Sequence, residues 1–347
     1  MKIAVGLSGG VDSSTVIALL KSQGHEVIGV TMKTYNPNNP FHHKLMSGTA
    51  CYGSNKEKDI TDCKVICAKL DIPYYIIDVS SEFENIVMNN FKSEYMAGNT
   101  PNPCAVCNKH IKFGVLIEKM TEMGIEFDYF ATGHYARIVR MDGYSLIKKA
   151  KDEKKDQSYF LSHLDPQLLN KVIFPLGDYT KEETREMARN FGLINAEKAD
   201  SQDFISGGDY SIFFDSKPGD IVDENGKVLG RHNGITNYTI GQRKGINVGS
   251  PTPLFVKEID AKNNRIIVTS NERLFVQNIH LLNMAFHGFI SNSPLYVKIR
   301  QNHTPAMVDT FEGEVLRLVD CQRGITPGQV AVIYQDDVIV GSGTIGR

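Results

Sequence analysis

The opening stretch from Ile3 to Ser14 constrains this chain most. Ile3-Ala4-Val5-Gly6-Leu7 reads as a buried strand, Ser8-Gly9-Gly10 as a turn of small residues, and Val11 to Leu20 as an apolar-periodic helix. A helix starting near Val11 aims its first unpaired N–H groups and its dipole at the turn, which suits phosphate. The glycines permit close backbone approach, and Ser8, Ser13 and Ser14 add hydroxyl donors. Asp12 narrows the choice of anion, because a carboxylate beside phosphates is repelled unless a cation such as Mg²⁺ lies between them. A Walker A loop would carry a lysine here, and this loop has none. The bland alternative is an N-capping turn in an ordinary α/β domain.

The hexapeptide Ser8-Gly9-Gly10-Val11-Asp12-Ser13 resembles the loop of the PP-loop ATP pyrophosphatases. That resemblance implies activation of a carbonyl or carboxylate by adenylation, with release of pyrophosphate.

The chain's 347 residues suggest two or three domains. No apolar run approaches the roughly 20 residues that span a bilayer, and Met1-Lys2 leads straight into a strand rather than a signal peptide. A cytoplasmic location and no membrane partner are expected. A net charge of −2 announces no global nucleic-acid surface, so any such surface is local. The six cysteines, Cys51, Cys63, Cys67, Cys104, Cys107 and Cys321, then read as metal, redox or core residues rather than a disulfide framework.

Further along, His25 to Met32 predicts a second buried strand, whose carboxyl end places Met32 where a nucleotide base lies in a doubly wound sheet. Residues 33–56 read as a long loop, 57–70 as a helix and 74–79 as a strand. Cys63 and Cys67, four apart among apolar neighbours, are expected to pack in the core. After a helix over 82–97 comes Thr100-Pro101-Asn102-Pro103-Cys104-Ala105-Val106-Cys107. Asn102 suits an N-cap and Pro103 the first helical position, which puts Cys104 and Cys107 one turn apart where the helix dipole favours thiolates. The alternative, half of a structural zinc site, lacks a second ligand pair at usable spacing. A helix to Gly124 and a strand over 127–137 follow, with Gly133 and His134 near its end; a lone His there is more often a structural hydrogen-bonder than a catalyst.

Together with the first loop and Met32, several motifs resemble the tRNA-specific 2-thiouridylases. These are Thr100-Pro101-Asn102-Pro103 with Cys107-Asn108-Lys109 and Ile111-Lys112-Phe113-Gly114, then Ala131-Thr132-Gly133-His134-Tyr135-Ala136-Arg137 and Lys155-Asp156-Gln157-Ser158-Tyr159. Phe174 to Gly177, Thr180-Lys181-Glu182-Glu183, Asp200-Ser201-Gln202-Asp203 and Tyr238 to Gly245 continue the match over most of the chain. The resemblance implies thiolation at C2 of uridine 34, the wobble base, by adenylation of O2, sulfur attack and AMP release. It implies that Gly6, Leu7, Ser8, Gly9, Gly10, Val11, Asp12, Ser13, Met32 and Gly133 hold ATP and that Cys107 is the nucleophile. Asn102, Pro103 and Cys104 would meet the flipped base of the tRNA anticodon stem-loop. Lys155, Asp156, Gln157, Arg243, Lys244, Arg300 and Gln301 would contact the tRNA elsewhere.

One departure matters. Typical members carry a second cysteine shortly after the stretch matching Asp200-Ser201, and residues 200–207 contain none. Cys104 and Cys51 are extra in its place. Cys51, Cys104 and Cys107 could bind a [4Fe–4S] cluster with one iron open to sulfide; alternatively Cys51 or Cys107 carries a persulfide. The sulfur donor is expected to be sulfide or a sulfur-relay protein. From a different class, the chain could be a non-catalytic tRNA-binding protein with structural zinc.

Thr180-x-x-Glu183 is a capping box, read as stability rather than chemistry. From about Gly207 the texture turns to short strands. Over residues 227–347 Lys and Arg outnumber Asp and Glu by 13 to 9, a local basic excess that suits an RNA backbone. The expected architecture is α/β: a doubly wound parallel sheet of PP-loop type over 1–206, a small central domain over 207–274 and a C-terminal β-barrel over 275–347.

Overall fold

A computed structural model describes residues 1–36, 50–52, 56–200, 203–205 and 210–347. It divides into two compact units, one made of residues 1–87, 104–209 and 337–339, the other of 88–103, 210–336 and 340–347. The division falls inside the Thr100 to Cys107 motif, between Pro103 and Cys104.

The first unit is a parallel sheet with helices. Its elements are β1 (Lys2–Gly6), α1 (Val11–Ser22), β2 (Glu26–Lys33), α2 (Lys56–Lys69), β3 (Tyr74–Asp78), β4 (Tyr129–Thr132), β5 (Val172–Ile173) and α3 (Lys181–Asn190). Strand order is β3-β2-β1-β4-β5, all pairs parallel. β1 is central because Ile3, Ala4 and Val5 are apolar on both faces and wholly buried. They pack with Val16, Ile17 and Leu20 of α1 and Cys63, Ile66 and Cys67 of α2. The reversal of strand order about β1 puts the β1–α1 turn at the switch point where such sheets bind ligands.

Three expectations are revised. The strand over 127–137 is two, Tyr129–Thr132 and Arg137–Arg140, because the chain leaves the sheet at Gly133 against the start of α1. The helix over 82–97 winds as a π-helix over Phe83–Met88 before resuming as α over Asn89–Met96. The helix after Pro103 is α only to Val106, then π over Cys107–Val115. Most of the loop over 33–56 lies outside the described residues; Ala50–Tyr52 forms a short strand parallel to Asp203–Ile205.

The second unit holds a four-stranded sheet, ordered Val228–His232, Gly219–Val222, Arg265–Thr269, Phe255–Asp260, over a core that includes Ile221, Val256, Ile266 and Val268. It also holds a closed six-stranded barrel, ordered Phe275–Phe286, Val315–Arg323, Ala306–Glu312, Leu295–Lys298, Val330–Gln335, Val338–Ile345, with the last strand returning to the first. Alternating residues such as Leu295, Val297, Leu316 and Leu318 fill its interior. Phe91 and Tyr95 of the helix Asn89–Met96 join Tyr210, Phe213 and Phe214 in an aromatic cluster, with the Phe91 and Tyr210 rings 5.3 Å apart edge to face. Among the described residues no helix is long and apolar enough to cross a membrane.

Candidate functional site

Gly6 ends β1 between Val30 of β2 and Thr132 of β4. The turn that follows depends on its glycines. Gly9 has φ +78°, and a Cβ there would lie 2.7 Å from the Asp59 Cβ, so the position excludes side chains twice over. Gly10 is the N-cap of α1 and offers no side chain, which leaves the helix start suited to an anion. The Ser13 hydroxyl accepts from the Ser8 N–H at 3.2 Å and holds the turn closed. Gly133, from the end of β4, approaches so closely that a Cβ would lie 2.7 Å from the Ser13 nitrogen and 3.0 Å from the Asp12 carbonyl carbon. Met32 sits near the end of β2, half-buried and paired with Ile77.

Asp12 is the hub of a charged cluster. Lys181, the first residue of α3, donates from Nζ to Asp12 Oδ1 at 2.7 Å and Oδ2 at 2.9 Å. The same Nζ lies 2.7 Å from Asp200 Oδ1, and its side chain is 11% exposed. The Tyr135 hydroxyl donates to Asp12 Oδ1 at 3.0 Å; burial, then the Asp12 charge, push that phenol's pKa up. Asp200 also pairs with Lys155 at 2.8 Å and Arg185 at 3.3 Å. Burial alone would raise the Asp200 carboxyl, but Lys155 and Lys181 outweigh it and hold it below the usual carboxylate range. From beneath, Asn195 donates to the Gly9 carbonyl at 3.1 Å and the Ser14 hydroxyl at 2.9 Å, and Lys198 bridges Gly9 O and Asp59.

These residues from 181–200 were not singled out as site residues in the sequence because their partners lie up to 189 positions away. The capping box is present as expected, with Thr180 accepting from the Glu183 N–H at 3.2 Å. It does more than stabilise a helix, since it sets Lys181 over the loop.

Cys104 is half-buried, and Cys107 is buried at the start of the π-wound segment. Next to it, Asn108 is buried and donates from its side chain to the Phe160 carbonyl at 2.9 Å, which anchors the segment. His134 is a half-buried hydrogen-bonder, with Nδ1 2.7 Å from Thr132 Oγ1 and Nε2 3.4 Å from Lys112 Nζ. Burial, then Lys112, hold its pKa well below the ordinary histidine value. Cys63 and Cys67 are core residues as expected; burial pushes the Cys67 thiol up to about 12.

Three family models match in succession: a tRNA methyl transferase HUP domain over residues 1–206, a tRNA methyl transferase PRC-barrel domain over 211–270 and an aminomethyltransferase beta-barrel domain over 271–345. The curated tRNA-specific 2-thiouridylase MnmA of Endomicrobium trichonymphae is 42% identical, with 99% of each chain covered. That of Lachnoclostridium phytofermentans is 40% identical and that of Acetivibrio thermocellus 38%, again over 99% of both chains. The chain belongs to the tRNA-specific 2-thiouridylase family.

As a family member it has the expected fold class, a parallel-sheet domain followed by two β domains. The residues that the 2-thiouridylase motifs assign to tRNA fall in both units. In the first, Lys155 is engaged with Asp200, while buried Asp156 accepts from the Ala150 N–H and the Ser158 hydroxyl. Gln157 accepts from the Tyr135 N–H through its side-chain oxygen, so this motif braces its own unit. In the second unit, Arg243 and Lys244 are exposed on a loop, whereas Arg300 donates to the Gly324 carbonyl and, at 2.8 Å, to the Thr326 hydroxyl. Gln301 and Asn102 are half-buried there, as is Pro103. Gln329 donates to the carbonyls of Thr100 and Pro101, and Thr100 N–H to Pro327 O, fixing the approach to Asn102.

Among the described residues no group of three His, Cys, Asp or Glu side chains could hold a metal. The Cys51 side chain lies outside the described residues. Its backbone belongs to the strand paired with Asp203–Ile205, within the first unit.

Proposed function

We propose that this chain thiolates C2 of uridine 34 in tRNA, with ATP activating O2 of the base, in a cytoplasmic setting. The domains would run 1–206 for adenylation and thiolation, 207–274 for tRNA binding and 275–347 for the barrel. The observation that carries this reading is the turn between β1 and α1. It combines an uncapped helix start, an Asp12 carboxylate and a glycine contact from β4, which together suit Mg²⁺ and polyphosphate. Methyl transfer, the wording of the family-model descriptions, needs a methyl donor; a phosphate turn and a cysteine pair serve adenylation and sulfur delivery instead.

In this reading Gly6, Leu7, Ser8, Gly9, Gly10, Val11, Asp12, Ser13, Met32 and Gly133 bind ATP, with Asp12 facing Mg²⁺. A carbonyl oxygen is a poor leaving group until it carries AMP, after which a sulfur nucleophile can displace it. Cys107 carries that sulfur as a persulfide or, where Cys51 carries it, attacks the Cys51 sulfur so that the S–S bond breaks and 2-thiouridine leaves. Asn102, Pro103 and Cys104 hold the base, and Arg243 and Lys244, both exposed, meet phosphates, with Lys155, Asp156, Gln157, Arg300 and Gln301 as further tRNA-side residues. The donor chemistry of Cys51, Cys104 and Cys107 fits a [4Fe–4S] cluster, which when bound would present a sulfide with one iron left open.

A second reading is favoured by the pairing of the Cys51 strand with Asp203–Ile205, beside which typical members carry their second cysteine. There Cys51 takes that cysteine's persulfide role. Anaerobically purified protein, unmodified tRNA and Mg-ATP test both, with sulfide as donor for the cluster and a persulfide-bearing sulfur-relay protein, which already holds sulfane sulfur, as donor for Cys51. AMP, pyrophosphate and 2-thiouridine are expected, with Cys107→Ala losing thiouridine entirely. Iron and acid-labile sulfide in the protein favour the cluster; neither, with a persulfide mapped to Cys51, favours the second reading. No AMP formation by the wild-type chain overturns the function.

A further inference from the structure

We propose that Lys181 is a phosphate-binding residue of the nucleotide site, parked on Asp12 and Asp200 until Mg²⁺ and ATP arrive. This rests on the adenylation reading above and assigns a residue to it.

The first loop lacks the lysine that a Walker A loop supplies from within. Lys181 supplies an ammonium from another element: its Nζ contacts both oxygens of Asp12 at 2.7 and 2.9 Å and Asp200 Oδ1 at 2.7 Å. The Asp12 carboxylate is the group that faces the divalent cation, and Mg²⁺ needs its oxygen ligands at about 2.0–2.1 Å. An ammonium on both Asp12 oxygens repels a second cation there, so Mg²⁺ and Lys181 compete for Asp12. When Lys181 leaves, neither carboxylate is stranded. Asp200 keeps Lys155 at 2.8 Å and Arg185 at 3.3 Å, and Asp12 keeps the Tyr135 hydroxyl and gains the metal. The displaced ammonium, on a flexible four-carbon stem, is then beside the phosphates that the turn binds.

There it has a task. The base O2 attacks the α-phosphorus and forms the new O–P bond; the bond from that phosphorus to the bridging oxygen breaks, and pyrophosphate leaves with the electron pair. The ring N3 proton passes to water. Negative charge grows on the departing pyrophosphate, and an ammonium already in place stabilises it without reorganisation.

The test uses the full chain with unmodified tRNA and sulfide. K181Q should slow AMP formation by about 10²–10³-fold, the loss typical of one charge-stabilising donor, and K181R should recover part of it. Without nucleotide, K181Q should bind Mn²⁺ at least about tenfold more tightly than wild type, because its plug is gone; a structural lysine would not change that. If K181Q does not fold, K181M, which keeps the apolar stem, carries both measurements. Folded K181Q or K181M with AMP formation within about threefold of wild type, or with unchanged Mn²⁺ affinity, overturns the inference. An inactive wild-type chain overturns the adenylation reading instead.

Discussion

Gly133→Ala is the most economical probe of the turn. A methyl at this position would lie 2.7 Å from the Ser13 nitrogen, 3.0 Å from the Asp12 carbonyl carbon and 3.1 Å from the Asp12 Cβ, whereas ordinary contact begins at 3.4 Å. The first two obstacles are backbone atoms, which cannot rotate aside as a flexible side chain would. Either β4 or the start of α1 must therefore shift by about 0.7 Å, the difference between 3.4 and 2.7 Å. Overpacking of this kind costs about 1–3 kcal/mol, which a chain with sizeable cores survives. Function suffers more, because misplacing a reacting group by about 1 Å can cost about 10²-fold in rate. We expect Gly133→Ala to remain folded by circular dichroism, to melt a few degrees lower, and to form AMP about 30- to 100-fold more slowly with tRNA and sulfide. Wild-type AMP formation by a folded Gly133→Ala protein would show that the close approach of β4 does not position Asp12 and Ser13.

Thiol chemistry and pH give two more checks. Cys63 and Cys67 are buried and their pKa values raised, so iodoacetamide at pH 8 should label exposed Cys321 in the native protein and reach Cys63 and Cys67 only on denaturation, as read by mass spectrometry of the peptides. Burial, then Lys109 and His110, lower the His163 pKa from 6.5 to about 4. The unfolded chain thus binds a proton there that the folded one refuses, so this residue's stability contribution is complete above about pH 6.5 and lost as pH falls toward 4. The loss is on the order of 3 kcal/mol at most. His163→Gln should flatten that part of the melting-temperature profile; a profile as steep as wild type refutes the assignment.

Local patterns carried a large share of the fold into view. Ile3-Ala4-Val5 announces a central strand because it is apolar without alternation, and Ser8-Gly9-Gly10 announces the tight turn before the helix. Thr180 and Glu183 lie within one turn, so their capping box is legible, and so is the core position of Cys63 and Cys67. What stayed hidden depends on distant pairing. No spacing links Lys181 to Asp12, or Asn195 to Gly9, since the sheet brings them together only when folded. Apolar period does not separate α from π winding over Cys107–Val115, where a wider turn still buries Ile111 and Phe113. The resemblance gives Lys155-Asp156-Gln157 as tRNA contacts, and no local pattern shows that Asp156 and Gln157 also use their side chains on the backbone of Ala150 and Tyr135.

The aromatic cluster of the second unit has a consequence during synthesis. The helix Asn89–Met96 leaves the ribosome more than a hundred residues ahead of Tyr210, Phe213 and Phe214, the rings that cover Phe91 and Tyr95. At about 5–20 residues per second it waits on the order of 6–24 s with those two rings uncovered. A translational pause after residue 100 lengthens that exposure and offers a holdase chaperone a foothold on the nascent chain there.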